Sequence, residues 1–247
     1  MWGSCLGRNA TEFQSAPPSP SDTETLWHPS PNVLAVGDLP PYIAFEGGEG
    51  TGKSTQAGLL ATSLGAVITS ETGGTAIGRR LRSILHDTAL ETLDWRAEAL
   101  IAAADRAQHL AEVVIPALQT GRTVVSDRSV YSTLAYQGFG RGLDVEELRS
   151  INDWAMRSVW PSLVVLIEAP PHVVAHRLNG RQLDRFERAG EAFHQRVLDG
   201  FRAMADGDPQ RWVVVKADGP LDAVAADVLR VVQERICKQG GRASDRA

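Results

Sequence analysis

The chain has 247 residues, 43% of them hydrophobic, and a net charge of −5, enough for one large domain with a buried core. That charge balance excludes a general nucleic-acid-binding surface, which needs an excess of Lys and Arg. Cys5 and Cys237, near opposite ends of the chain, offer neither a disulfide framework nor metal-ligand spacing. They fit a reducing cytoplasm, and neither a membrane-length apolar run nor a signal-peptide pattern is expected.

Seven of the thirteen prolines lie between Pro17 and Pro41, mixed with Ser, Thr and Asp. Such a segment sustains no hydrophobic period, so residues 1–39 read as a disordered extension. The folded chain is expected over 40–238, with a frayed tail over 239–247.

Tyr42–Phe45 reads as a short buried strand. It runs into Gly47-Gly48-Glu49-Gly50-Thr51-Gly52-Lys53-Ser54-Thr55, the pattern G-x-x-x-x-G-K-S, and then into a helix through Gln56–Leu60. This is the order a backbone needs to wrap the phosphates of a nucleoside triphosphate. Gly47, Gly50 and Gly52 let the loop turn its N–H groups inward. The helix that follows aims its positive end at the same anion. Lys53 reaches the terminal phosphates and the Ser54 hydroxyl can hold Mg²⁺. A nucleotide-binding loop spanning Gly47 to Thr55 is therefore expected.

Further β-branched apolar runs follow at Ala66–Thr69, Thr123–Ser126, Leu163–Ile167 and Trp212–Val215. Helical spacing separates them over Trp95–Leu118 and Val145–Val159, and Asp144 with Glu147 suits a cap for the latter. Strands alternating with helices imply an α/β fold: a three-layer P-loop NTPase with a parallel sheet of about five strands and helices on both faces. Ligands in such sheets lie beyond the carboxyl ends of the strands. The polar residues there are the phosphate loop, Glu71-Thr72-Gly73-Gly74-Thr75, Asp127-Arg128 and Glu168.

Several segments together resemble bacterial thymidylate kinases, over about residues 41 to 237. They are Phe45-Glu46-Gly47 with Gly52-Lys53-Ser54-Thr55, Glu71 with Gly73-Gly74-Thr75, and Ala104-Asp105-Arg106-Ala107-Gln108-His109. Asp127-Arg128-Ser129 with Ala135-Tyr136-Gln137-Gly138 and Leu183-Asp184-Arg185-Phe186-Glu187 complete the set. The resemblance implies a Mg²⁺-dependent cytoplasmic homodimer that moves the terminal phosphate of ATP to dTMP.

Both substrates are polyanions, so catalysis is mainly positioning and charge neutralisation. Lys53 would serve the donor phosphates, and Arg128 would grip the acceptor phosphate through its planar fork of donors. Asp127 would hold Mg²⁺ with Ser54 and orient Arg128. By resemblance the closing arginine comes from the phosphate loop or from a mobile lid. The loop has no basic residue at its variable positions, so this chain looks like the lid type, with a lid near 177–187, Arg181 as its leading arginine and Arg185 next. By the same resemblance Glu49 accepts from the sugar 3′-hydroxyl and Tyr136 crowds out a ribose 2′-hydroxyl. Arg106 donates to a base carbonyl, with Glu71, Thr133 and Gln137 beside it.

Departures fall on the acceptor side. Ala102 stands where family members place the ring that stacks on thymine, Ser70 and Thr72 replace the Arg and Pro around Glu71, and Ser129 replaces a tyrosine. They open two alternatives: a kinase for a modified pyrimidine nucleotide, or a deoxynucleoside kinase, whose sequence Asp127-Arg128-Ser129 also resembles. A nucleotide-binding module without turnover is a third.

Overall fold

The computed structural model describes residues 39–90, 92–180 and 184–244, with side chains as far as Cys237. The expected extension at 1–39 lies outside the described residues, apart from Leu39. Strands β1 (Tyr42–Glu46), β2 (Val67–Ser70), β3 (Val124–Asp127), β4 (Leu163–Glu168) and β5 (Trp212–Lys216) form one parallel sheet in the order β2-β3-β1-β4-β5. Each predicted run is a strand whose ends differ by one residue at most.

The helices are α1 (Lys53–Leu64), α2 (Ala76–His86), α3 (Trp95–His109), α4 (Ile115–Gln119), α5 (Val130–Thr133), α6 (Val145–Met156), α7 (Pro171–Leu178), α8 (Glu191–Gly207) and α9 (Leu221–Ser244). Alternate strand residues feed two cores, as the period of a pleated strand requires. Tyr42, Ala44, Val124 and Leu166 pack under α3, α6 and α8. Ile43, Phe45, Val125 and Ile167 pack under Ala57 and Leu60 of α1 and Val224, Val228 and Val232 of α9. The sheet is therefore covered on both faces, the expected three layers.

Capping follows the sequence. The Asp144 carboxylate accepts from Glu146 N and Glu147 N, both at 2.9 Å, and Asp94 caps α3 in the same way. From Trp95 to Gln119 the helix is continuous, with a π turn at Leu110–Val114 between α3 and α4. A second π turn, Leu134–Gly140, extends α5 and carries Tyr136 and Gln137. Such widened turns recur at functional sites because they re-aim side chains that a regular helix would bury. Helix α9 continues to Ser244, into the segment expected as a tail. Gly240 and Gly241 lower helix propensity, but a helix already nucleated on a packed face propagates at little cost.

The connection from β1 runs to β2 on one side, and that from β3 crosses over β1 to reach β4 on the other. That reversal opens a crevice beyond the carboxyl ends of β1 and β3. The pairing Phe45 to Asp127 and the bond from Arg128 N to Phe45 O, 2.9 Å, bring Asp127-Arg128 beside the phosphate loop.

Candidate active site

The loop after β1 has the backbone its glycines predict. Gly47 adopts φ 142°, and a Cβ there would lie 2.4 Å from the Ile167 carbonyl oxygen. Gly52, at φ 96°, is the left-handed residue from which α1 starts. Thr51 Oγ1 donates to Gly48 O at 3.1 Å, and Lys53 Nζ donates to the same oxygen at 3.0 Å while lying 3.8 Å from Glu49. Burial, with Arg128 close by, pulls the Lys53 ammonium below its ordinary lysine value. Ser54 and Thr55 are exposed at the start of α1.

A residue outside the expected set lies on this loop. Arg177 of α7 donates through one guanidinium nitrogen to Gly50 O at 3.2 Å and Thr51 O at 2.9 Å. From the lid segment, Arg177 thus bonds the phosphate loop in this conformation, and its only sequence signal was membership of that basic segment. Arg181 falls outside the described residues. Arg185, the next lid candidate, bonds other groups in this conformation. Its Nε donates to Leu85 O at 2.9 Å and its Nη1 to Glu98 Oε2 at 2.6 Å. The fully buried Glu98 carboxylate attracts a guanidinium more strongly than solvent does.

Arg128 joins the loop to the neighbouring cleft. It donates to Gly47 O at 3.4 Å, to Ser132 Oγ at 3.1 Å, to Tyr136 Oη at 3.1 Å and to the Glu49 carboxylate. Its guanidinium also lies 5.0 Å from the centre of the Tyr136 ring, a cation–π distance. Arg128 has φ 70°, a conformation that costs a non-glycine residue on the order of 1 kcal/mol and persists only where surroundings over-determine it. Burial alone would raise the Glu49 carboxyl, but Arg128 and Lys53 hold it well below the usual carboxylate range. Tyr136 donates to Glu49 at 2.9 Å, and burial keeps its phenol protonated well above the ordinary value.

Beneath Arg128 lies a second carboxyl that motif reading passed over. Glu46, the last residue of β1, is fully buried and accepts from Ser129 Oγ and Ser132 Oγ, each at 2.7 Å. Burial pushes it up to about 7, against the opposing pull of Arg128 and the two hydroxyls. Ser129, one of the departures, is thereby part of the support for the site.

The acceptor-side residues converge on one cleft, lined among others by Glu49, Arg106, Arg128, Tyr136, Gln137 and Phe186. Glu71 and Thr133 line it too, although much of their hydrogen bonding is internal. Arg106 donates to Glu71 at 2.9 Å, Thr133 Oγ1 at 3.0 Å and the Asn152 side chain. Glu71 also bonds His109 Nδ1 at 2.9 Å. Burial would raise the Glu71 carboxyl, but Arg106 and His109 draw it below its ordinary value. Glu71 thereby holds the Arg106 guanidinium in place. Where Thr72 departs from the usual proline, Arg82 of α2 reaches its carbonyl oxygen at 3.1 Å and lines the cleft. Glu168, by contrast, forms a surface pair with Arg202 at 2.7 Å.

Among the described residues no group of three or more His, Cys, Asp or Glu side chains is arranged to hold a metal by itself. The Asp127 Oδ1 atom is buried without a partner, and the Ser54 hydroxyl is open. One carboxylate and one hydroxyl, completed by substrate phosphates, is a donor set that suits Mg²⁺.

A phosphate-binding loop with an arginine bridging it to a polar cleft is the arrangement of a P-loop phosphotransferase acting between two nucleotides, a nucleoside monophosphate kinase. The comparisons with known proteins are specific on this point. The family model described as thymidylate kinase matches residues 45–228. The chain is 44% identical over 201 residues to the thymidylate kinase of Synechococcus sp. (strain JA-2-3B'a(2-13)), covering 79% of this chain and 95% of that protein. It is 43% identical over 205 residues to that of Nitratidesulfovibrio vulgaris, covering 78% and 95%. Its fold matches the crystal structure of thymidylate kinase from Ehrlichia chaffeensis with a TM-score of 0.65 at 29% identity, over 78% of this chain and 98% of that one. The chain belongs to the thymidylate kinase family.

Proposed function

We propose that the protein transfers the γ-phosphate of ATP to dTMP, giving dTDP and ADP. The observation that carries this reading is Arg128, which contacts the phosphate loop at Gly47 and the acceptor cleft at Glu49, Ser132 and Tyr136. A guanidinium in that position neutralises charge on the acceptor phosphate as it approaches the donor. Lys53 and Arg177 act on the ATP phosphates from the loop side. Arg181 is expected to join them in the closed state, and closure would keep water from the transferring group. Asp127 and Ser54 would hold Mg²⁺, which supplies charge neutralisation between the β- and γ-phosphates. Glu49 and Tyr136 face the sugar, and Arg106, Thr133 and Gln137 face the base.

The assay is ADP formation with dTMP, thymidine, dUMP and 5-substituted dUMP analogues as acceptors. Fastest turnover with dTMP supports the proposal. Fastest turnover with thymidine makes the protein a nucleoside kinase. ADP formation with none of them leaves a binding module.

The functional unit we infer is a homodimer in the cytoplasm. Ile77 and Ile84 of α2, Leu100 of α3 and Ile151 and Trp154 of α6 are exposed, Trp154 at 84%, and α3 packs against both other helices. An outward apolar surface of this kind suits a second copy. Light scattering should give twice the chain mass, reduced to the single mass by Leu100→Asp. Among the described residues, no helix is long and apolar enough to cross a membrane.

A further inference from the structure

Glu98 of α3 is fully buried, and each of its contacts is a donor. Its Oε1 accepts from Gln137 Nε2 at 2.8 Å and Arg141 Nε at 3.4 Å. Its Oε2 accepts from Arg141 Nη2 at 3.3 Å and Arg185 Nη1 at 2.6 Å. A carboxylate facing two guanidinium groups accepts only. The side-chain amide of Gln137 therefore has one allowed orientation, with its NH₂ toward Glu98. Its carbonyl oxygen bonds to no donor among the described residues and is not an enclosed orphan, so it opens to the cleft that Gln137 lines. Arg106, a pure donor, lines the same cleft.

We propose that Glu98 is a positioning residue that sets base selectivity, by turning the Gln137 carbonyl toward the acceptor. A cleft presenting an acceptor beside a donor complements a ring edge with an N–H next to a carbonyl, as in thymine and uracil. Cytosine has the opposite edge, a ring nitrogen that accepts beside an amino group that donates, and leaves both groups of the cleft unpaired. Buried groups left unpaired are the strongest source of discrimination between isosteric ligands. The inference rests on the reading of the site as a kinase for a pyrimidine monophosphate.

Glu98→Gln tests it. The new side chain keeps one oxygen, which Arg185 and Arg141 hold, so its NH₂ must face Gln137. Gln137 then reverses its amide and shows NH₂ to the cleft. The measurement is kcat/KM for dUMP and dCMP, which differ only at that ring edge, with dTMP and the KM for ATP as controls. The wild type should prefer dUMP over dCMP by at least about 100-fold. In Glu98→Gln that ratio should fall by about tenfold or more while the KM for ATP holds. Gln137→Met, which offers neither donor nor acceptor, should lower the ratio too, as it must if this side chain reads the base. If Glu98→Gln does not fold, Glu98→Asp, whose shorter carboxylate draws back from Gln137, takes its place and should also lower the ratio. A ratio within about twofold of wild type in a folded variant overturns the inference, as does an equal loss on both substrates, which is the mark of a general structural defect. If the wild type is inert on every pyrimidine monophosphate, the kinase reading falls along with it. If it is active on dTMP and its ratio survives substitution of Glu98, the role of Glu98 is lost while the kinase reading stands.

Discussion

The phosphate loop and the acceptor cleft are built in opposite ways. The loop's own Thr51 and Lys53 bond locally, both to the carbonyl oxygen of Gly48 a few residues away, while Arg128 and Arg177 reach other loop carbonyls from outside. In the cleft the polar contacts span the chain: Glu46 to Ser129, Glu49 to Arg128, Glu71 to Arg106, Glu98 to Arg185. A locally closed loop can lose a side chain and keep its shape. A cleft whose charges hold distant elements together loses binding geometry and stability at once.

Lys53→Ala is the largest test of that difference. Turnover should fall by about 10²–10³-fold, the usual cost of removing one charge-stabilising donor, while the Tm stays within a few degrees. A collapse in Tm would show that the loop, too, is held by its charges.

The two arginines flanking the undescribed part of the lid sharpen the contrast. Arg177→Ala removes contacts to Gly50 and Thr51 and should lower kcat/KM for ATP by roughly tenfold to 10²-fold, with stability unchanged. Arg185→Ala leaves part of the buried Glu98 carboxylate unmatched and should cost about 1–3 kcal/mol of stability. Chemical denaturation and ATP kinetics on both variants check this, and the reverse pattern would make Arg185 the residue that acts on phosphate.

Smaller still is the effect expected at Ala102, which lines the cleft near Phe186. Ala102→Phe should tighten dTMP binding by about tenfold, since stacking a base on a ring contributes on the order of 1–3 kcal/mol. Calorimetry with dTMP measures it. Unchanged affinity would mean that Phe186 already supplies the aromatic wall.

The same contrast explains what the sequence made legible. The five strands, the cap at Asp144 and the left-handed glycines of the loop depend on neighbours within a few residues, and pattern reading reaches them. Asp127 and Arg128 were found because a strand end marks its own position. Glu46, Glu98 and Arg177 were missed because their partners lie 83, 39 and 127 residues away. One local signal for Glu98 was available. Glu98, Asp105, Arg106 and His109 are all buried and fall at helical spacing along α3, a polar stripe that a helix packed only for its core would not carry. The partners of Arg185 are illegible for the same reason: a basic segment announces its charge but not which carboxylate claims it.

Two carboxyls close together in sequence carry the comparison into pH dependence. Glu49, held below the usual range, contributes stability that is present above about pH 4.5 and lost as pH falls. Glu46 works in the other direction. Its value rises from 4.5 to about 7 on folding, so the folded state binds the extra proton between those values. The associated stability is complete below pH 4.5 and disappears as pH rises through 7. Glu46→Gln keeps the shape and the hydrogen-bonding capacity toward Ser129 and Ser132 but cannot ionise. The difference in Tm between Glu46→Gln and wild type should therefore move in favour of the variant as pH is raised from 5 to 8, while Glu49 and the rest of the chain contribute equally to both. A difference that stays constant across that interval would show that Glu46 is ionised throughout, stabilised by Arg128 more strongly than its burial opposes.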